Sequence, residues 1–489
     1  MKAVVLGGGF AGLAAASELA RQGLAVTLLE QHTDVGGKAS EYRADGYRFD
    51  TGPHLFTLPD IYRSLFTASD DIQPVTMQAL EPLTRYFFPP GRSWDVYFET
   101  DHAPKTTQGL SEQEASTYLA LRAEAKKLFE GAAPTFLYGS APNMWDLFLY
   151  GLREGLQAHP LKTLPQLLKT YGASEDLEQF FLRFATYFGA DPYRAPAILH
   201  NIAWVELGQG AFHPVGGIAA VIASLKTLAE SRGVDIRCDT PVTRLHAHNK
   251  HITSVETSQG QLEADVVVSA LDIIRTSQLL GKTSPLAKLA PSLSGFVMLL
   301  GVRGESPSLA HHNISFAPDY QREFADIAAG HLPQDPTIYI SISSKSAPED
   351  APAGCENWFI LVNAPPQTGA SAPFVQADKR EQMYASHIID LLEKRGFDVK
   401  RRLEHQHILP PRYLSRFAQF GSIYGVAPHS LMRTIRPKPR LAGVRNLWLA
   451  GGTVHPGGGM PLAMLSGKNA AAAVCRHYNV QAKAPEESP

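Results

Sequence analysis

Lys2–Leu6 is a short apolar run followed at once by Gly7-Gly8-Gly9-Phe10-Ala11-Gly12, and this junction constrains the fold more than any other feature of the 489-residue chain. Leu13, Ala16, Leu19 and Ala20 then recur at helical spacing, Gly23 ends the helix, and Ala25–Leu29 reads as a second strand with Glu30 at its tip. Strand, G-x-G-x-x-G turn, helix, strand and acidic residue, in that order, spell a dinucleotide-binding βαβ unit. Gly7 makes the tight turn, Gly9 lets the backbone approach a pyrophosphate, and Gly12 lets helix and strand pack closely. The helix start at Phe10 and Ala11 offers N–H groups and a positive dipole end to the phosphates. Glu30, with Gln31 after it, is placed to accept hydrogen bonds from a ribose. A carboxylate there repels a 2′-phosphate, which argues against NADP.

The rest of the composition narrows the class. At this length two domains are expected rather than one. The formal charge of −2 gives no broad basic face for nucleic acid. Cys238, Cys355 and Cys475 are far apart and share no metal-ligand spacing, so reduced thiols and no metal site are expected. The N-terminus superficially resembles a secretory signal, but three consecutive glycines and Glu18 make a poor apolar region. No apolar run approaches the length needed to span a bilayer.

After Glu30 the chain does not continue as a plain Rossmann dehydrogenase. It gives Val35-Gly36-Gly37-Lys38 and then Asp50-Thr51-Gly52-Pro53-His54-Leu55. These segments resemble the "GG(R/K)" and "D-x-G-x" blocks of the FAD-dependent amine oxidase and phytoene desaturase superfamily. The resemblance implies that Gly37 and Lys38 contact the cofactor and that Pro53, His54 and Leu55 pass near the isoalloxazine ring. Pro214-Val215-Gly216-Gly217, a helical stretch and Gly233-Val234-Asp235-Ile236 resemble the block that returns the chain to the cofactor domain, where the Val242 position touches the adenine through its backbone. Near the C-terminus, "NLWLAGGTVHPGGGMPLAML" resembles the last strand and closing turn of the cofactor site, which implies contacts from Gly452, Thr453, Gly459, Met460, Pro461 and Leu462. Gly452 stands where many relatives carry an Asp. Pro461 suits the first turn of a helix, whose dipole would aim at the N1–C2=O edge of the flavin.

The resemblance sharpens to bacterial carotenoid desaturases through "RFATYFGADPYRAPA" (Arg183–Ala197), "HNISFAPDYQREFADI" (His312–Ile327), "DPTIYISISS" (Asp335–Ser344), "APAGCENWFILV" (Ala351–Val362) and "FGSIYG" (Phe420–Gly425). Ala185-Thr186-Tyr187 and the Val205-Glu206 region are similar to the hydroxycarotenoid 3,4-desaturase branch. The implied fold is α/β: a Rossmann-like FAD domain (1–75, 208–285 and 418–479) interleaved with a mixed-sheet and helical substrate domain (76–207 and 286–417). Residues 480–489 read as a flexible tail.

The implied activity adds a C=C bond at C-3,4 of an acyclic, 1-hydroxylated C40 carotenoid, with hydride passing to flavin N5 and a proton lost. Oxygen or a quinone would then reoxidise the flavin. His54, His455, Arg183 and Tyr187 are the catalytic candidates. A bilayer-confined substrate implies a peripheral protein on the inner face of the cell membrane. One stripe fits that expectation: Trp145, Phe148, Leu149, Leu152 and Leu156, resuming as Leu161, Leu164, Leu168 and Tyr171, flanked by Arg153, Lys162 and Lys169. An ordinary helix pair facing its own core gives the same pattern. Other readings are a phytoene desaturase acting on earlier intermediates, a redox-neutral carotenoid isomerase or saturase, and a flavin-free isoprenoid-binding protein of the same architecture.

Overall fold

The computed structural model describes residues 1–98, 105–367 and 378–480. Its organising element is a five-stranded parallel sheet built from distant parts of the chain, in the order Leu447–Leu449, Val266–Ser269, Lys2–Leu6, Ala25–Leu29, Asp235–Arg237. Successive side chains of a strand point to opposite faces, and here both faces are covered. Ala3, Val5, Val266, Val268 and Trp448 pack on one side with the helices Phe10–Arg21, Gly217–Ser231 and Met460–Tyr478. Val4, Leu6, Val267 and Leu449 pack on the other with Leu245, Ile252 and Val255 of the antiparallel sheet 242–263.

A second, seven-stranded mixed sheet runs Leu403–Leu409, Ser294–Arg303, Cys355–Ala364, Ile338–Ile342, His312–Ser315, Thr84–Phe88, Arg92–Val96. All neighbours are antiparallel except His312–Ser315 with Thr84–Phe88. The helix Lys379–Lys394 packs Ile388 and Leu392 into a core with one part of this sheet. The helices Glu112–Phe136, Leu164–Thr170 and Glu175–Leu182 pack with Tyr86, Phe88 and Ile314 of another, and with Phe316 just beyond its strand.

The long apolar stripe divides in the structure. Past Leu161 its second half behaves as core: Leu164 and Leu168 are fully buried and Tyr171 is half-buried. Its first half does not. The helix Met144–Glu154, started by an Asn143/Asp146 capping box, has no buried residue, and Met144, Trp145, Phe148, Leu149 and Leu152 are all exposed. The side chain of Leu156 lies outside those described. Leu161, just beyond, is 93% exposed. Among the described residues no helix is long and apolar enough to cross a membrane, and no group of His, Cys, Asp and Glu could hold a metal ion. The expected tail lies outside the described residues, apart from Val480, which packs against the helical face of the parallel sheet.

Candidate active site

The two ends of the chain meet through glycine. Gly7 has φ +94° and its N–H donates to the Leu29 carbonyl at 2.8 Å, closing the turn between the first two strands. A Cβ on Gly12 would lie 1.8 Å from the Gly7 carbonyl oxygen, and one on Gly467 would lie 2.2 Å from that of Ala11. Close packing therefore dictates glycine at both positions, and it docks the C-terminal helix against the N-terminal one.

Gly9 and Gly459, which precede those helices, are different. A Cβ on Gly9 would meet nothing nearer than the Gly36 carbonyl at 3.9 Å, and one on Gly459 would meet nothing within 4 Å. No neighbouring atom crowds the open side of either glycine, although Gly459, at φ +104°, is also favoured as glycine by its own backbone. Space kept free at a helix N-terminus is what a bound phosphate or ring edge would use, and the residues fit FAD in this respect.

The other predicted cofactor residues surround this frame. Glu30 is buried, with Oε2 accepting from the Gly8 N–H at 2.7 Å and Oε1 from the His32 N–H at 3.0 Å. A carboxylate has about four lone-pair sites, so it retains capacity for a ribose. Gln31 Nε2 contacts His32 Nε2 at 3.1 Å. Gly36 and Gly37 both take positive φ, and the Gly36 N–H donates to Gly8. Lys38 is half-buried and Nζ donates to the Ile423 carbonyl at 2.6 Å; desolvation of the ammonium pulls its pKa down to about 8, against the opposing pull of Asp272. The Lys38 ammonium is thus partnered to the chain's own backbone. Val242 begins an antiparallel strand, and Thr453 Oγ1 accepts from the Ile273 N–H at 3.2 Å. A Cβ on Gly452 would press on Gly458 Cα at 3.2 Å, so an Asp there would have to displace the closing turn.

A cavity of about 850 Å³ continues from this frame, large even among ligand pockets. Pro53, His54 and Leu55, together with Gly459, Met460, Pro461 and Leu462, line it at the cofactor frame. Phe129, Leu137, Leu199, Phe359 and Leu361 supply apolar wall. Leu147, Tyr150 and Gly151 of the exposed helix also line it, as do Leu431 and the 66%-exposed Met432, so the cavity reaches the surface beside that helix.

One charged group interrupts the apolar wall. Arg183, 4% exposed, donates through Nη2 to Glu206 Oε1 at 2.6 Å and through Nη1 to the Tyr187 hydroxyl. Tyr187 in turn donates to Glu206 Oε2 at 3.0 Å. The guanidinium lies 4.2 Å from the Phe184 ring centroid and 5.1 Å from that of Tyr86. Burial works against the Arg183 charge, but Glu206, Tyr187 and Tyr86 together outweigh it and raise its pKa. Burial also pushes the Tyr187 phenol well up, Arg183 opposing. The cluster is an ion pair held charged inside an apolar cavity.

The histidine candidates separate. His54 lines the cavity: its Nδ1 contacts the Gly52 carbonyl at 2.9 Å, its ring lies 4.0 Å from that of Phe359, and burial pulls its pKa down to about 3. It is therefore neutral at physiological pH. His455 is not among the cavity-lining residues; its Nε2 contacts the Gly139 carbonyl at 3.1 Å. Its backbone carbonyl accepts from Ser466 Oγ, which also accepts from the Gly451 N–H, so this segment braces the closing turn. Tyr339, Asn363 and Glu206 line the cavity without having been singled out in the sequence. All three lie in or beside segments that resemble desaturases, but nothing in those segments marks which residue faces inward.

Comparison with known proteins agrees with this construction. The profile of the flavin containing amine oxidoreductase family matches residues 10–475. A solved cyclohexylamine oxidase from Brevibacterium oxydans IH-35A superposes with a TM-score of 0.59 at 16% identity, covering 98% of this chain and 99% of its own, which shows the fold. The chain belongs to the flavin containing amine oxidoreductase family and is an FAD-dependent oxidoreductase of α/β fold. Within that family it belongs with the carotenoid-desaturase type. It is 32% identical over 481 residues to a 1-hydroxycarotenoid 3,4-desaturase of Flavobacterium sp. (strain P99-3), covering 96% of this chain and 97% of the relative. It is also 31% identical to a 4,4′-diaponeurosporene oxygenase of Staphylococcus haemolyticus (strain JCSC1435), covering 96% of each.

Proposed function

We propose that this protein is an FAD-dependent desaturase of carotenoid biosynthesis that introduces a C=C bond at C-3,4 of an acyclic, 1-hydroxylated C40 carotenoid. The observation that carries the reading is the apolar cavity, which reaches from the glycine frame to an exposed apolar helix and contains, among the described residues, one ion-paired polar cluster. A polyene needs the apolar walls. A hydroxyl at one end of it needs a hydrogen-bonding partner inside them, and Arg183, Tyr187 and Glu206 offer one.

FAD would be held by the unit built on the parallel sheet (1–75, 208–285 and 418–479), through the Gly7–Gly12 turn, Glu30, Gly37–Lys38, Val242 and the Gly452–Leu462 turn. Residues 76–207 and 286–417 would form the substrate side. Bound FAD supplies a two-electron acceptor for hydride at its N5. The chain's own contribution is to align the substrate, exclude water and take the proton. His54 and the Arg183 cluster are the groups that line the reacting space, while His455 supports the closing turn. The exposed face of Met144–Glu154, with Leu161 beside it, would rest on the inner surface of the cell membrane, so that the substrate enters from the lipid through the mouth next to that helix. Oxygen or a quinone would accept the electrons.

A second reading deserves a test because oxygenases match this chain as well as a desaturase does. Expression in cells accumulating phytoene, lycopene or 1-hydroxylated lycopene, followed by product analysis, tests the assignment. Conversion of only the hydroxylated substrate, with loss of two hydrogens, is expected. Conversion of phytoene, or products that gain oxygen, would overturn it.

A further inference from the structure

Removing two hydrogens from adjacent carbons leaves a proton inside an apolar cavity, where a charge cannot be solvated. The groups already described are poorly placed to remove it. Glu206 is ion-paired with Arg183 and accepts from Tyr187, so a proton on it would break a buried ion pair. His54 donates from Nδ1 to the carbonyl of Gly52, and burial, which pulls its pKa down to about 3, disfavours a second proton on its ring.

One wall residue leads elsewhere. Tyr339, on the strand Ile338–Ile342, lines the cavity, and its hydroxyl is 2.8 Å from His312 Nδ1 on the neighbouring strand. His312 is fully buried, and its Nε2 has no hydrogen-bond partner. An unpaired imidazole nitrogen at such a site is destabilising, so it is not a group that packing alone would favour. The His312 ring lies 4.5 Å, centroid to centroid, from that of His311, and His311 Nδ1 is 2.7 Å from Ser346 Oγ. Ser346 is half-buried, following the exposed residue Lys345. Three buried histidines thus gather behind one cavity tyrosine, since His213, also with an unpartnered Nε2, packs 4.9 Å from His311.

We propose that Tyr339, His312 and His311 form the route by which the proton lost from the substrate leaves the cavity, with Tyr339 as its first acceptor. The proposal rests on the desaturase reading. Hydride passes from one carbon to oxidised flavin, carrying two electrons. At the adjacent carbon the C–H bond breaks, and its electron pair becomes the new C=C π bond. The proton joins the Tyr339 oxygen as the tyrosine's own proton moves to His312 Nδ1, so the phenol is restored. His312 gives up a proton from Nε2, which no described group of the chain accepts from directly, by way of an intervening water to His311, and His311 releases one from Nδ1 through Ser346 to solvent. Burial holds His311 and His312 well below the ordinary histidine pKa, so both start neutral and a proton placed on either is driven onward.

The test is anaerobic single-turnover mixing of FAD-loaded protein with the hydroxylated carotenoid in vesicles. It follows flavin bleaching together with a pH indicator, in H2O and D2O, for wild type, Tyr339→Phe and His312→Ala. Polyene absorbance on binding to flavin-free protein provides a readout independent of turnover. The wild type is expected to release a proton in step with bleaching and to slow in D2O. Both variants are expected to bleach about 100-fold more slowly while binding polyene and flavin normally, and added imidazole is expected to restore His312→Ala. Wild-type bleaching rates in the variants overturn the route, as does a loss of rate that tracks loss of polyene binding and is not rescued by imidazole. If the wild type adds no double bond to any carotenoid, the desaturase reading itself fails and the route with it.

Discussion

The site has two parts of different construction. The cofactor frame is built from backbone: Gly12 and Gly467 are held bare by neighbouring carbonyls, while Gly9 and Gly459 keep open space beside their Cα atoms. At the polar cluster the wall is side chains delivered from separate segments, namely Arg183 and Tyr187 from one, Glu206 from a second and Tyr339 from a third. At Gly12 and Gly467 the first kind of site tolerates almost no change in volume. The second tolerates change in shape but not in charge, because its cost lies in desolvation.

The largest effect is expected where packing is tightest. Gly12→Val would set a side chain 1.8 Å from the Gly7 carbonyl, which no rotamer relieves. On the order of 3 kcal/mol or more is lost, and the protein is recovered insoluble. Gly9→Val sharpens the comparison: its open side should leave apoprotein stability within about 1 kcal/mol by urea unfolding, while flavin absorbance is absent from the purified protein. If the two variants behave alike, the distinction between packing glycines and ligand glycines is wrong.

Next comes the ion pair. Glu206→Ala leaves Arg183 buried without a counter-charge and should cost about 3–5 kcal/mol in urea unfolding. The double variant Arg183→Met/Glu206→Leu should recover most of that stability without recovering turnover. Recovery of both would reduce the cluster to a packing element.

A smaller, pH-dependent effect belongs to His54. Its pKa of about 3 in the folded protein lies below the ordinary 6.5, so its contribution is fully present above pH 6.5 and is lost as pH falls towards 3. His54→Gln should therefore flatten part of the acid limb of stability between those values, leaving stability at pH 8 little changed. An unaltered acid limb would mean that His54 is not the buried neutral group its surroundings require.

Gly7, Gly9 and Gly12 were legible in the sequence because they act within one turn of a few residues, whereas Gly467, whose contact is with Ala11 at the other end of the chain, was not. The polar wall was only half legible. Arg183 and Tyr187 stood four positions apart in a recognisable block, but the Glu206 carboxylate reaches them only once two separate helical segments pack together, and the Tyr339–His312 contact exists only once two strands are registered. The stripe from Trp145 to Tyr171 shows the complementary limit. Helical spacing revealed an apolar face but not its neighbour, and the structure gives Leu164 and Leu168 to the core while leaving Trp145 and Leu152 exposed.

That exposed face yields the smallest expected change in stability. Trp145→Ser/Leu152→Ser should alter urea unfolding by no more than about 0.5 kcal/mol, yet the variant should fail to float with vesicles that carry the wild type. Equal flotation would remove the membrane from the account.

The central claim is that this cavity directs hydrogen removal and not oxygen insertion. Mass spectrometry of the product formed from a 1-hydroxylated acyclic carotenoid by FAD-loaded protein under 18O2 tests it most directly. The account predicts a product lighter by two hydrogens, with red-shifted polyene absorbance and no 18O. A product carrying 18O would contradict it.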